Sequence, residues 1–117
     1  MTEQQIPLFV FGTLRRGEEN HHYLDGQYVR MIPAVLAGYV RLHPLMIAPD
    51  PSGQVDGELY FLQPEEYAAT LAGCDELEEL FPGQLVGRDY QRKFVTVSTA
   101  DGDYGAWAYV QPEDARP

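Results

Sequence analysis

Apolar and polar positions along the chain mark out short strands and one helix. Ile6-Pro7-Leu8-Phe9-Val10-Phe11 is a continuous apolar run closed by Gly12, the pattern of a buried strand. Tyr28 to His43 is rich in Val, Ile and Leu but interrupted by Pro33 and Gly38, which predicts two strand segments bent or bulged at the glycine. From Gln54 to Leu62 the chain alternates, with Val55, Gly57, Leu59 and Phe61 on one firmly apolar face and Asp56, Glu58, Tyr60 and Leu62 on the other. Tyr90 to Thr99 and Tyr104 to Gln111 read as two more strands, joined by Asp101-Gly102, the strongest hairpin signal present.

The remaining segments read as turns, loops and a helix. Asn20 to Leu24 predicts one helical turn, with Asn20 as its cap and Asp25-Gly26 ending it. Residues 44–53 hold three prolines with Asp50 and Ser52, so a loop is expected around Leu45-Met46-Ile47, and residues 80–88, with Pro82, Gly83 and Gly87, predict a second. Pro64-Glu65-Glu66 opens the main helix, since proline suits a first turn and acids there complement the dipole. A flexible tail is expected over 112–117. About six strands, one substantial helix and no β-helix-β alternation predict the α+β class, a small barrel-like mixed sheet in a single domain over 1–117.

One position breaks the helix pattern. Tyr67, Leu71, Cys74 and Glu78 fall on one stripe at spacings of four, three and four, so a carboxylate lies in line with the face that should be buried. Burying an unpaired carboxylate is costly and is met by a raised pKa or a specific partner, and a glutamate tuned towards neutrality suits a general base. The competing reading is that the helix kinks or frays after Gly73, leaving Glu78 one more solvated acid among Asp75, Glu76 and Glu79. Pattern alone favours that second reading.

Composition narrows the chemistry. The 117 residues carry 18 acids against 8 Lys and Arg, a formal charge of −10, which repels phosphate backbones and argues against nucleic acid as a partner. No apolar run approaches the roughly 20 residues of a membrane helix, and the first residues lack the basic-then-apolar order of a signal peptide, so no membrane association and a cytoplasmic location are expected. Arg15 and Arg16 stand side by side after the first strand. They suit either a solvated turn or the attraction of a carboxylate-bearing small ligand. Cys74 is the only cysteine, which excludes an internal disulfide, and its place beside Leu71 suggests an ordinary buried thiol.

Other candidates are weaker. His21, His22 and His43 lack ligand spacing, so a surface reading is preferred and no metal is expected. Ser52 and Ser98 have no nucleophile elbow, and the Gly12 turn has no P-loop lysine. Glu58 and Tyr60 either line a pocket or cap the outer sheet.

Taken in order, Phe11-Gly12-Thr13-Leu14-Arg15-Arg16-Gly17-x-x-Asn20-His21, Gly57-Glu58-Leu59-Tyr60, Cys74-Asp75-Glu76-Leu77-Glu78, Tyr90-x-Arg92 and Ala106-Trp107-x-Tyr109 span nearly the whole chain. This ordered set resembles the γ-glutamylcyclotransferase-like superfamily, including its bacterial AIG2-like and γ-glutamylamine cyclotransferase members. The resemblance implies a small mixed β-barrel with flanking helices and a cavity at whose mouth a loop holds the γ-glutamyl group through backbone groups. That loop falls on Phe11, Gly12, Thr13 and Leu14, and the family's catalytic glutamate, three residues after a Leu-Asp pair, falls on Glu78. The resemblance therefore reverses the preference for a solvated Glu78. Phe11 stands where tyrosine is usual, Cys74 where leucine is usual before Asp75, and Glu79 where glycine is frequent.

The implied reaction is intramolecular: the α-amine of a γ-glutamyl amine or peptide attacks the γ-carbonyl, giving 5-oxoproline and a free amine. Because the nucleophile is tethered, the protein has mainly to fold the substrate and move protons. Glu78 is the expected acid and base, Gly12, Thr13 and Leu14 supply N–H donors, and Arg15, Asn20 and Tyr90 are expected in ligand contact or support. No cofactor is required. The alternative is a non-catalytic domain that binds a small metabolite on the same fold. The leaving amine is expected to be chosen by loops 44–53 and 80–88, and the oligomeric state is left open.

Overall fold

The structure, a computed structural model, describes residues 5–43, 46–78, 80, 87 and 90–111. Its strands are β1 (Leu8–Val10), β2 (Tyr28–His43), β3 (Met46–Leu62), β4 (Gln91–Thr99) and β5 (Gly102–Val110), with one α-helix, α1 (Tyr67–Leu77). Short 3₁₀ turns at His21–Tyr23 and Pro64–Glu66 precede β2 and α1. The strands form a closed mixed barrel in the order β1-β3-β2-β4-β5. A parallel contact between β1 and β5 closes it, with Leu8 opposite Trp107 and the Trp107 N–H donating to the Pro7 carbonyl at 2.8 Å. No helix among the described residues is long and apolar enough to cross a membrane.

Among the described residues five strands stand where about six were expected. Tyr28 to His43 is one strand, because the break at Gly38 is absorbed as a register shift between Ala37 and Tyr39. Gly38 sits at φ 86°, in the left-handed region that glycine enters without a Cβ clash. The expected loop over 44–53 is also corrected, since β3 begins at Met46 and Ile47, Ala48 and Pro49 pair with Arg41, Val40 and Tyr39. Prolines are tolerated at such an irregular ladder, where a bulge removes the need for a donor. Residues 50–53 bow out opposite Gly38, and the Asp50 carboxylate accepts from the Ser52 N–H at 2.9 Å and its hydroxyl at 2.8 Å. Those two bonds hold the Asp50 carboxyl below its ordinary pKa.

The hairpin signal is one residue out of register: Thr99 pairs with Gly102, so Ala100 and Asp101 form the loop. Gly102, at φ 115°, opens β5. The helix runs unbroken through Gly73 to Leu77, so the expected kink is absent. The expected loop over 80–88 and the tail over 112–117 lie almost wholly outside the described residues.

Alternation in β1 and β3 divides the apolar side chains into two clusters. Phe9, Phe11, Leu36, Ile47, Val55, Leu59, Val97, Ala106 and Val110 fill the barrel. Leu8, Val10, Leu14, Leu24, Tyr60, Leu62, Leu71, Cys74 and Tyr109 pack between the barrel and α1. The second face of β3 is therefore also covered at its end, with Tyr60 fully buried and Leu62 nearly so. Gly57 makes β1 possible beside it: a Cβ there would lie 2.4 Å from the Val10 carbonyl oxygen and 2.7 Å from the Phe9 ring.

Candidate active site

Phe9 and Phe11 drive inward into the barrel while Val10 points to the helix layer, so β1 ends as a strand anchored on both sides. The turn that follows, Phe11 to Leu14, has all four of its carbonyls occupied. Arg41 Nη1 donates to the Phe11 carbonyl at 3.0 Å, with its guanidinium over the Phe11 ring at 5.5 Å. The Arg15 N–H and Nε both reach the Gly12 carbonyl at 3.1 Å. The Asn20 N–H donates to the Thr13 carbonyl at 2.9 Å, and His21 Nδ1 lies 3.0 Å from the Leu14 carbonyl. A carbonyl can only accept, so His21 carries its proton on Nδ1 here. The N–H groups of Gly12, Thr13 and Leu14 have no acceptor among the described residues. The turn therefore presents donors and has no carbonyl without a partner.

Glu58 fastens the next part of the loop. Its Oε1 accepts from the Arg16 N–H and from the Tyr60 hydroxyl, each at 2.8 Å. Burial first, and the hydrogen bond to Glu58 second, push the Tyr60 hydroxyl well above the ordinary phenol range, so it stays a donor.

Opposite the turn is the end of α1. Glu78 is its C-cap, half-buried, with its N–H held by the Cys74 and Asp75 carbonyls at 3.1 Å. The C-terminal end of a helix disfavours a negative charge by about 0.3–1 kcal/mol, so helix stability gives no reason for an acid there. Its neighbour Asp75 is bound on both sides: Oδ1 accepts from Arg92 Nε at 2.8 Å and from the Tyr109 hydroxyl at 2.6 Å. Arg92 in turn lies 4.5 Å over the Trp107 ring. The Tyr109 hydroxyl is raised far above the phenol range, chiefly by burial, then by its neighbours Cys74 and Asp75. Cys74 itself is fully buried, and burial together with the charges of Asp75 and Glu78 pushes its thiol up to about 12. It is the unreactive buried thiol expected.

A cavity of about 280 Å³ separates the turn from the helix end. Its wall is formed by Phe9, Val10, Phe11, Gly12, Thr13, Leu14, Glu19, Asn20, Leu77, Glu78, Tyr90 and Tyr109. Of the residues singled out in the sequence, Phe11, Gly12, Thr13, Leu14, Asn20, Tyr90 and Glu78 thus share one cavity. Arg15 is not in its wall; it braces the Gly12 carbonyl and faces Glu18 at 3.7 Å. Glu79 lies outside the described residues. Glu19 was not singled out, Tyr109 entered only as part of the family resemblance, and His21 was read as a surface residue. His21 is half-buried, its ring 5.8 Å from that of Tyr60, which corrects the surface reading. Its side chain closes a seven-residue loop, a contact that no local spacing announces.

A mixed barrel whose first strand delivers a donor-rich turn to a cavity facing a helix-end carboxylate is the class that fold and site define, and the chain belongs to the family described as γ-glutamyl cyclotransferase, AIG2-like, which it matches over residues 8–117. A relative from Niallia circulans, named γ-L-glutamyl-butirosin B γ-glutamyl cyclotransferase, is 32% identical over 111 residues, covering 92% of this chain and 67% of the relative. The solution structure of an Arabidopsis thaliana protein is similar at a TM-score of 0.71 and 27% identity, covering 99% of this chain and 67% of that one. The crystal structure of YkqA from Bacillus subtilis gives 0.70 and 25%, covering 92% of this chain and 36% of YkqA, so this chain spans about a third of that protein.

Proposed function

We propose that this chain cyclises a small γ-glutamyl compound, with Glu78 as the acid and base. The observation that carries the reading is the polarity of the cavity: a turn with every carbonyl satisfied and three N–H groups open lies on one side, and a carboxylate lies on the other. The N–H groups of Gly12, Thr13 and Leu14 take the oxygen that gains charge when the α-amine nitrogen bonds to the γ-carbonyl carbon. Glu78 removes the proton that the α-ammonium loses and returns one to the departing amine as the C–N bond of the γ-amide breaks. The products are 5-oxoproline and an amine; the attacking nitrogen loses a second proton as it becomes the lactam N–H, and the amine carries that proton away as its ammonium, so the protons balance without an added acid or base. Leu14, Asn20 and Tyr90 line the pocket with Phe11, whose ring lies under the Arg41 guanidinium, and Arg15 keeps the turn in shape. Each donor at a developing oxyanion is worth about 3 kcal/mol in comparable sites.

The family and the Niallia relative support the reaction class, and the amine released by this chain is to be found by experiment. The test is a panel of γ-L-glutamyl-L-alanine, Nε-(γ-L-glutamyl)-L-lysine and mono-γ-glutamylputrescine, with 5-oxoproline measured by mass spectrometry. Product from at least one member, lost in Glu78→Gln, is expected. A melting temperature raised by 5-oxoproline without turnover of any member would assign binding in place of catalysis.

A further inference from the structure

The loop after the turn folds back through a side chain as well as through its backbone: Asn20 Nδ2 donates to Thr13 Oγ1 at 2.8 Å. Both residues are in the wall of the cavity. A threonine hydroxyl has one proton, and when it accepts from an amide nitrogen that proton must go elsewhere. Among the described residues no acceptor takes it.

We propose that Asn20 sets the Thr13 hydroxyl as a hydrogen-bond donor into the cavity, adding a side-chain donor to the N–H groups of the turn for a substrate oxygen. The assignment rests on the cyclotransferase reading. It makes Thr13 a group that touches substrate, and Asn20 a positioning residue acting through it. The local geometry supports the division of labour, because the Asn20 N–H already holds the Thr13 carbonyl at 2.9 Å and fixes the loop without help from the amide. The amide is thus spare for setting the polarity of the hydroxyl.

Substitutions at Asn20 separate this from a structural role. Aspartate has nearly the shape of asparagine but only accepts, so Asn20→Asp keeps the bond and draws the Thr13 proton out of the cavity. Asn20→Ala loses the bond and leaves the hydroxyl free to turn towards substrate. The expected order is therefore inverted from that of a structural contact: kcat/KM falls about 10- to 100-fold in Asn20→Asp and under about 5-fold in Asn20→Ala. Thr13→Val falls about 100-fold and Thr13→Ser recovers most of the rate. Thr13→Val combined with Asn20→Asp is no worse than Thr13→Val alone.

The measurements use the panel member that the wild type turns over best, with melting temperatures recorded alongside. Asn20→Asp as active as the wild type, or less impaired than Asn20→Ala, overturns the proposal, since that is the result if the amide oxygen faces Thr13. So does an unimpaired Thr13→Val. If the wild type turns over no panel member, the cyclotransferase reading fails separately, and the same series is read by titration of 5-oxoproline. A hydroxyl donor then predicts weaker binding in Asn20→Asp than in Asn20→Ala, and absence of binding to the wild type removes both readings.

Discussion

The barrel interior and the layer between barrel and helix bury similar numbers of side chains but differ in kind. Among the described residues, the buried side chains of the interior are aliphatic or phenylalanine apart from the Tyr39 phenol, and Tyr104 packs against them partly buried. The helix layer holds the Tyr60 and Tyr109 hydroxyls and the Cys74 thiol, and Asp75, Arg92, Glu58 and Glu78 stand along its margin. A closed interior cannot satisfy a polar group, whereas a layer open at its edges can pair each hydroxyl with a carboxylate. The barrel therefore supplies rigidity, and the proposed chemistry falls to the layer outside it. β1 links them, because Phe9 and Phe11 belong to the first and Leu8, Val10 and Leu14 to the second.

If the two regions divide stability from activity in this way, substitutions should separate the two quantities. The largest effect on rate belongs to Glu78→Gln, which should lower kcat about 10²- to 10⁴-fold while leaving the melting temperature near that of the wild type. A large loss of stability in that variant would show that the helix end is part of the frame. In the interior, Phe9→Ala should cost about 3–5 kcal/mol and Leu59→Ala about 2–5 kcal/mol. Chemical denaturation should show the loss, while enzyme that remains folded should keep its kcat. Tyr109→Phe lies on the boundary: removing one buried hydrogen bond to a charged acceptor should cost about 1.5–3 kcal/mol. Asp75 keeps Arg92, so the variant should fold, and activity should fall only as far as the Glu78 helix end shifts.

The interior was the more legible region. Period-two alternation in β3 placed Val55, Leu59 and Phe61 together, and the apolar run before Gly12 announced β1. Residues 46–53 were not legible as strand, because proline signals a broken ladder in any local reading and the bulge opposite Gly38 depends on a partner strand. The candidate site was legible in part: its glycine marked the turn, while the acid on the apolar stripe at the helix end was read by pattern alone as solvated and only the family resemblance reversed that. The proximity of turn and helix end was not legible, since 64 positions of chain separate Leu14 from Glu78 and only closure of the barrel brings them together. The family resemblance bridged that gap where spacing did not. The bond from Arg41 to the Phe11 carbonyl and that from Tyr109 to Asp75 cross the fold and could not be read from spacing, and the local bonds that occupy the other carbonyls of the turn follow from a loop conformation the sequence pattern does not specify.

At neutral pH the smallest expected effect is one that shows only in alkali. Burial raises the Cys74 thiol from its ordinary pKa of 9.0 to about 12, and raises the Tyr109 hydroxyl above its ordinary 10.0. A group whose pKa is raised by folding contributes fully below its unfolded value and loses that contribution as pH climbs towards the folded one. Stability should therefore hold level up to about pH 9 and decline from there to about pH 12. Cys74→Ala should start lower near neutral pH, from lost packing, yet decline less steeply above pH 9. Interior variants such as Leu59→Ala should keep the wild-type slope, because they remove no group that titrates in this range. Equal alkaline slopes for Cys74→Ala and the wild type would mean that the thiol reaches water in the folded state. The helix layer would then be looser than its packing implies, and the contrast with the interior would narrow to one of polarity.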